Sequence, residues 1–352
     1  MSHLDDPAFL SKRDPKGMMA LTEGFSDQCR KALSLSSELS LPDSLRNCDQ
    51  IVVLGMGGSA AGGDYLRELV HAGGTVPCMV CRDYVVPGFV SSKTFVIACS
   101  YSGNTEETLS ALKQAHAKGA QIAGVTSGGQ IGAFCKEHGY PCVIIPGGQP
   151  PRTALGYLFI PMAQMCATLG YCPTPAFETC FELLDRCRED WGPLVKTTSN
   201  PAKMLALSLF GKAILVYGLG SWQSVAAFRW KGQINENSKM MAFYHAFPEL
   251  NHNEIMGWTL AEHQGVDRWA TVFLASGDES KQMRLRADVT GEIIRSKTDL
   301  HEVHSEGDDL LSQMLSITYF GDFVSLYLAA LNDVDPEAIE AINLLKSKLA
   351  EL

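Results

Sequence analysis

Residues 94–108 read Thr94-Phe95-Val96-Ile97-Ala98-Cys99-Ser100-Tyr101-Ser102-Gly103-Asn104-Thr105-Glu106-Glu107-Thr108. The first seven form a β-branched and aromatic run of strand length, and a helix-forming segment opens at Glu106. Between them lie three hydroxyls, a glycine and an asparagine. A buried strand that ends in such a loop and passes directly into a helix is half of a parallel β-α-β unit. Working outward, the pattern repeats. Ile51–Gly55 (IVVLG) ends in glycines and leads into a helical segment to Val70. An apolar run follows at 77–80, and beyond the helix at 106–118 come strands at 122–126 and 142–145, with a short helix near 131–138. Such sheets bind ligands beyond the carboxyl ends of their strands, where the loops after Leu54 and Cys99 fall.

The opening signal recurs later. Ala213–Gly220 (AILVYGLG) followed by Ser221 mirrors 51–58 followed by Ser59, and further strands are expected at 270–275 and 299–303 around a helix near 283–296. An internal repeat of this kind predicts two similar α/β domains. The expected organisation is a helical segment at 1–45, a first domain at 46–170, a helical linker at 171–200 and a second domain at 201–352. The last of these closes with an apolar helix at 310–331, a turn at Asp335-Pro336 and a final helix.

The 352 residues are 46% hydrophobic and 19% charged, a balance that suits a large buried interior divided between two cores. A formal net charge of −10 argues against a nucleic-acid surface, which needs clustered Lys and Arg. No apolar run of about 18 residues is read, so no membrane-spanning helix is expected. The N-terminal residues carry charges where a signal peptide has an apolar stretch. Eleven cysteines, an odd number without framework spacing, fit reduced thiols and a cytoplasmic location.

Four constellations carry chemistry. In the loop after Cys99, Ser100, Ser102 and Thr105 place hydroxyls at a helix start whose amides face the loop, a combination that suits a phosphate dianion without bulk positive charge. The competing reading, that Thr105 or Asn104 simply caps the helix, accounts for one of these side chains. Gly55-Met56-Gly57-Gly58-Ser59-Ala60 is either a tight strand-to-helix turn or a nucleotide loop, with Ala60 where a dinucleotide fingerprint has its third glycine. Pro150-Pro151-Arg152 could set a fixed cation at the same sheet edge, suited to a developing oxyanion. Finally, Gln233–Lys239 (QINENSK) and Glu249–Glu254 (ELNHNE) supply a carboxylate and a histidine, the residue types of general base and general acid. Each alone is more readily a solvated glutamate or a structural histidine. Cys78 and Cys81 point to opposite faces of a strand, as do His301 and His304, so no metal site is assigned.

In family order, these pieces resemble the bifunctional phosphoglucose/phosphomannose isomerases of bacteria and archaea. They are GMGGSAAGGD at 55–64, SYSGNTEET at 100–108, PRTALGYL at 151–158, NEN-K at 235–239, ELNHNE at 249–254 and GDFVSLYLAALNDVDP at 321–336. The resemblance runs from about residue 50 to the C-terminus. It implies two sugar isomerase (SIS) domains, each an αβα sandwich with a mostly parallel sheet flanked by helices. It implies an aldose-ketose isomerase that converts glucose 6-phosphate and fructose 6-phosphate through a cis-enediol(ate), with neither cofactor nor metal. By position it gives Gly57, Ser59, Ser100, Ser102 and Thr105 to the sugar phosphate and Glu236 to proton transfer between C2 and C1. It gives His252 to ring opening from the partner chain of a homodimer, Arg152 to the enediolate, and Lys346 to the ring oxygen. After Asp-Pro the family commonly has Thr-Pro-Val, a pair associated with accepting mannose 6-phosphate. Glu337-Ala338 replace it here, so mannose 6-phosphate is expected to be a weaker substrate or none. The alternatives are a non-catalytic SIS sensor, which needs only the serine loops, and a nucleotide-binding oxidoreductase, which rests on the first glycine loop alone.

Overall fold

The computed structural model describes residues 3–349 and 351. Its chain divides into two compact units. One comprises Gly24–Leu183 with Gly307–Ser312; the other comprises the described residues up to Glu23, Leu184–Glu306 and the chain from Gln313 onward. The N-terminal helical region is therefore shared out: Pro7–Arg13 and Met18–Glu23 group with the second sheet, and Phe25–Ser37 with the first.

The first unit holds five parallel strands: β1 (Gln50–Leu54), β2 (Cys78–Cys81), β3 (Thr94–Ser100), β4 (Gln121–Thr126) and β5 (Cys142–Ile144), in the order β2-β1-β3-β4-β5. Every residue of β3 is buried, as expected for a strand covered on both faces. Alternation sorts its neighbours. Val52, Leu54, Val96, Ala98 and Ile122 share one face with Leu112 and Ala115 of helix Glu106–Ala117 and Ile131 of helix Gly129–His138. On the other face the backbones come close, because Gly63 of helix Gly57–Gly73 has no Cβ to meet Val53, and Gly62 none to meet the Leu158 carbonyl of helix Leu155–Leu169.

The second unit holds β6 (Ala213–Gly218), β7 (Ala242–Ala246), β8 (Trp269–Ala275) and β9 (Asp299–His304), parallel and ordered β7-β6-β8-β9. The sequence reading missed β7. Its five residues, Ala-Phe-Tyr-His-Ala, lie on the sheet edge with Phe243 and Tyr244 exposed, so they lack the buried alternation that marks a strand. Leu215, Tyr217 and Phe273 pack with Ala287 and Ile294 of helix Lys281–Arg295, which Ser280 caps by accepting a bond from the Met283 amide at 3.2 Å.

The helix Leu310–Leu331 stands where an apolar helix was expected. By length and a mean hydropathy of 1.5 it is apolar enough to cross a membrane, yet 94% of that stretch is buried inside the protein. It is a core helix. The Trp230 indole lies against Gly321, where a side chain would collide with it, and donates to the Ile317 carbonyl at 2.8 Å.

Candidate functional site

At the carboxyl end of the first sheet the hydroxyls engage one another. The Ser100 and Thr105 hydroxyls are hydrogen-bonded at 2.8 Å, and the Gly103 amide donates to Ser100 Oγ at 3.2 Å. Thr105 occupies the N-cap position of helix Glu106–Ala117 but forms no side-chain cap bond. Its hydroxyl turns toward Ser100 instead, so helix capping does not explain it. The exposed Ser102 hydroxyl accepts a bond from the Asn104 amide at 3.2 Å. Gly103 is required twice over: its φ is +69°, and a Cβ would strike the Gly128 carbonyl and sit 2.7 Å from Thr126 Oγ1.

The first glycine loop adjoins this one. Ser59 is buried, and its hydroxyl accepts a bond from the Tyr101 amide at 3.2 Å, tying the end of β1 to the end of β3. Gly57 opens its helix with φ +51°. A Cβ on Gly58 would lie 2.8 Å from the Pro151 carbonyl oxygen, so the loop and the Pro151-Arg152 turn are in direct contact. That turn is a single 3-10 turn, Pro151–Thr153, in which Arg152 is buried. Gln28 braces it, donating to the Thr153 carbonyl at 2.9 Å and accepting from the Gly156 amide at 2.8 Å. Sequence reading overlooked Ser127. It follows β4 and donates from both its amide (2.9 Å) and its hydroxyl (2.7 Å) to the Tyr101 carbonyl. The signal was present, since Thr126-Ser127-Gly128-Gly129 after β4 repeats the hydroxyl-then-glycine pattern found after β3.

Glu236, His252, Glu337 and Lys346 belong to the other unit. Glu236 was expected late in a helix. That helix ends at Gln233, and Glu236 lies half-buried in the π-helical turn Ile234–Ser238 that continues it. Such wide turns are frequent at functional sites because they redirect a side chain. The turn is anchored from behind: Asn237 donates to Ser325 Oγ at 2.9 Å, and Ser238 Oγ donates to the Ser325 carbonyl at 2.8 Å. One turn earlier, Asp322 accepts from Arg229 at 2.7 Å and from Gln233 at 2.9 Å. Burial pushes the Asp322 carboxyl above its ordinary value, against the pull of the Arg229 guanidinium.

His252 ends the 3-10 turn Glu249–His252 and is exposed. The segment is pinned by Glu254, which accepts the Tyr217 hydroxyl from β6. Lys346 is exposed on the helix Glu340–Leu349, which buries none of its residues. The Glu337 amide donates to Asp335 Oδ1 at 2.9 Å in the turn that follows the core helix. Among the described residues no group of three or more His, Cys, Asp or Glu side chains is placed to hold a metal ion.

Two family models match this chain: the SIS domain over residues 44–138 and the bacterial phospho-glucose isomerase C-terminal SIS domain over residues 198–349. The bifunctional phosphoglucose/phosphomannose isomerase of Caldicellulosiruptor bescii is 41% identical over 329 residues, 93% of this chain and 97% of that one. The chain belongs to the bifunctional phosphoglucose/phosphomannose isomerase family. The family's protein of the same description from Thermoplasma acidophilum is 36% identical, over 85% of this chain and 89% of its own. Among solved structures, a hypothetical protein from Thermus thermophilus superimposes with a TM-score of 0.75 at 15% identity, covering 98% of this chain and 92% of that one. At that identity the likeness speaks for the fold, two SIS domains with parallel sheets flanked by helices.

Proposed function

We propose that the chain interconverts glucose 6-phosphate and fructose 6-phosphate, with mannose 6-phosphate as a second and weaker substrate. The observation that carries the reading is the loop after β3. Its Ser100–Thr105 hydroxyl pair stands at a helix start that Thr105 does not cap. Hydroxyls and helix-end amides of this kind hold a phosphate dianion in a chain whose net charge is −10. Ser59, Ser100, Ser102 and Thr105, with the Gly57 backbone, bind the phosphate, and that remote binding positions the sugar for reaction.

Glu236 removes the C2 proton of the open-chain aldose and returns it to C1, so the C1 aldehyde becomes an alcohol as the C2 hydroxyl becomes a ketone. No atom is gained or lost. The charge that develops on the enediolate oxygen is met by Arg152 and by Lys346, cations the step needs because a carboxylate is a weak base for a carbon acid. His252 assists ring opening from the partner chain of a homodimer in the cytoplasm. By the family resemblance, Glu337 stands at the threonine position associated with mannose 6-phosphate, and it narrows the acceptance of that sugar.

A coupled assay with glucose 6-phosphate and mannose 6-phosphate, with and without chelator, tests the scheme. Glu236→Gln is expected to lower kcat by roughly 10²–10⁴-fold, the usual worth of a positioned general base, and chelator is expected to change nothing. Activity unchanged by Glu236→Gln would refute the assignment. Tight fructose 6-phosphate binding without turnover of either sugar would mark a sensor.

A further inference from the structure

The residue after the Glu236 turn makes an unusual set of bonds. Lys239 Nζ donates to the Glu236 carbonyl at 2.8 Å and to the Asp335 carbonyl at 2.7 Å, with longer approaches of 3.4 Å to the carbonyls of Asn237 and Pro336. An ammonium carries three protons, and here it donates to main-chain oxygens from two segments nearly a hundred residues apart. Charge-assisted bonds of this kind are stronger than neutral ones. The backbone at Lys239 is also left-handed, with φ +55°, a region that glycine or asparagine normally fills. A lysine held there means that its surroundings sustain the strain, and the four carbonyls are the visible reason. Asn332 adds a second tie, donating to the Ser238 carbonyl at 2.8 Å.

These bonds join two turns. One is the π turn that aims Glu236. The other is the Asp335–Glu337 turn, which by the family resemblance is the position associated with mannose 6-phosphate. We propose that Lys239 is a positioning residue that clamps the Glu236 turn to the Glu337 turn, so that proton transfer and the choice between the two aldose 6-phosphates are set together. The proposal rests on Glu236 as the base and Glu337 as the specificity position. Lys239 itself does not touch substrate. It fixes where the Glu236 main chain stands, and any change at 337 reaches the base through the shared ammonium.

The test is a cycle of four proteins: the parent, Lys239→Met, Glu337→Thr and the double variant. Each is assayed for kcat and KM with glucose 6-phosphate and with mannose 6-phosphate, and each is melted. Lys239→Met is expected to lower kcat at least tenfold for both sugars while leaving KM for either within about threefold, because the phosphate loops belong to the other unit. Glu337→Thr is expected to change the ratio of kcat/KM between the sugars in the parent, and to change it several-fold less once Lys239 is gone. Lys239→Arg, which keeps the charge, is expected to restore part of the lost kcat. Unchanged kcat in Lys239→Met, or an effect of Glu337→Thr that is the same in both backgrounds, would overturn the clamp. So would a uniform loss of kcat, KM and melting temperature that Lys239→Arg does not relieve, since that is the mark of a merely structural lysine. A parent that turns over neither sugar would instead overturn the isomerase reading, and the clamp with it.

Discussion

Gly103→Ala is expected to damage the protein in a way that Gly139→Ala does not, although the two glycines share a φ of +69°. Any L-residue in this left-handed region costs about 1–2 kcal/mol, and both variants bear that. They differ in what the new methyl meets. At Gly139, the C-cap of helix Gly129–His138, there is nothing within 4 Å. At Gly103 the methyl collides with the Gly128 carbonyl and lies 2.7 Å from Thr126 Oγ1. Neither neighbour can step aside at little cost, because Thr126 Oγ1 donates to that same carbonyl at 2.9 Å. Retreating the other way breaks the Gly103 amide from Ser100 Oγ and the Gly103 carbonyl from the Ile131 amide at 3.0 Å. Overpacking against groups held this firmly adds about 1–3 kcal/mol. The totals are about 2–5 kcal/mol for Gly103→Ala and about 1–2 kcal/mol for Gly139→Ala. Urea denaturation of the two variants beside the parent reads the difference. Since the displaced loop is the proposed phosphate cradle, KM for fructose 6-phosphate is expected to rise at least tenfold in Gly103→Ala, about 1.4 kcal/mol of lost binding, and to stay at the parental value in Gly139→Ala. If the two variants match in both stability and KM, the cradle reasoning fails.

Ser100→Ala removes one member of the hydroxyl pair and an acceptor of the Gly103 amide, and is expected to cost about 1–3 kcal/mol and raise KM while the melting curve stays cooperative. Asp322→Ala removes a carboxylate partner of the buried Arg229 guanidinium and is expected to destabilise the second unit by about 3–5 kcal/mol in calorimetry. Asp5 accepts from the Thr197 amide at 2.6 Å and the Thr197 hydroxyl at 2.7 Å, and the hydroxyl bond chiefly holds its carboxyl below the ordinary value of 3.8. Its folded-state value lies below the unfolded one, so its contribution is present above pH 3.8 and is lost as pH falls through the folded value. The stability gap between parent and Asp5→Asn, followed by urea titration, is therefore expected to close under acid, and a gap independent of pH would contradict the assignment.

Much of this molecule could be read directly from its residues. Runs such as Thr94–Ser100 are apolar at consecutive positions because both faces of a parallel strand are covered, and that local fact is written in composition. The repeat of strand, glycine and serine at 51–59 and 213–221 announced two sheets. These are short-range signals. The edge strand Ala242–Ala246 was not legible, since only Ala242 is buried and its burial pattern does not alternate. The core helix Leu310–Leu331 was legible as an apolar helix, and the structure adds that 94% of its apolar stretch is buried inside the protein.

For the site, residue types at their spacing determined which side chains can do chemistry: three hydroxyls before a helix, an arginine after a proline pair, a glutamate and a histidine among amides. Only the tertiary structure decided how they are held. Thr105 turns to Ser100 rather than capping its helix, Gly58 touches Pro151, and Lys239 reaches Asp335 across 96 positions of sequence. The reason is physical. A hydroxyl, a glycine or an ammonium has several partners of nearly equal energy within reach of its own segment, and local sequence cannot rank them. The packing of distant segments brings one partner into range and excludes the rest, and that choice is made only when the chain has closed around it.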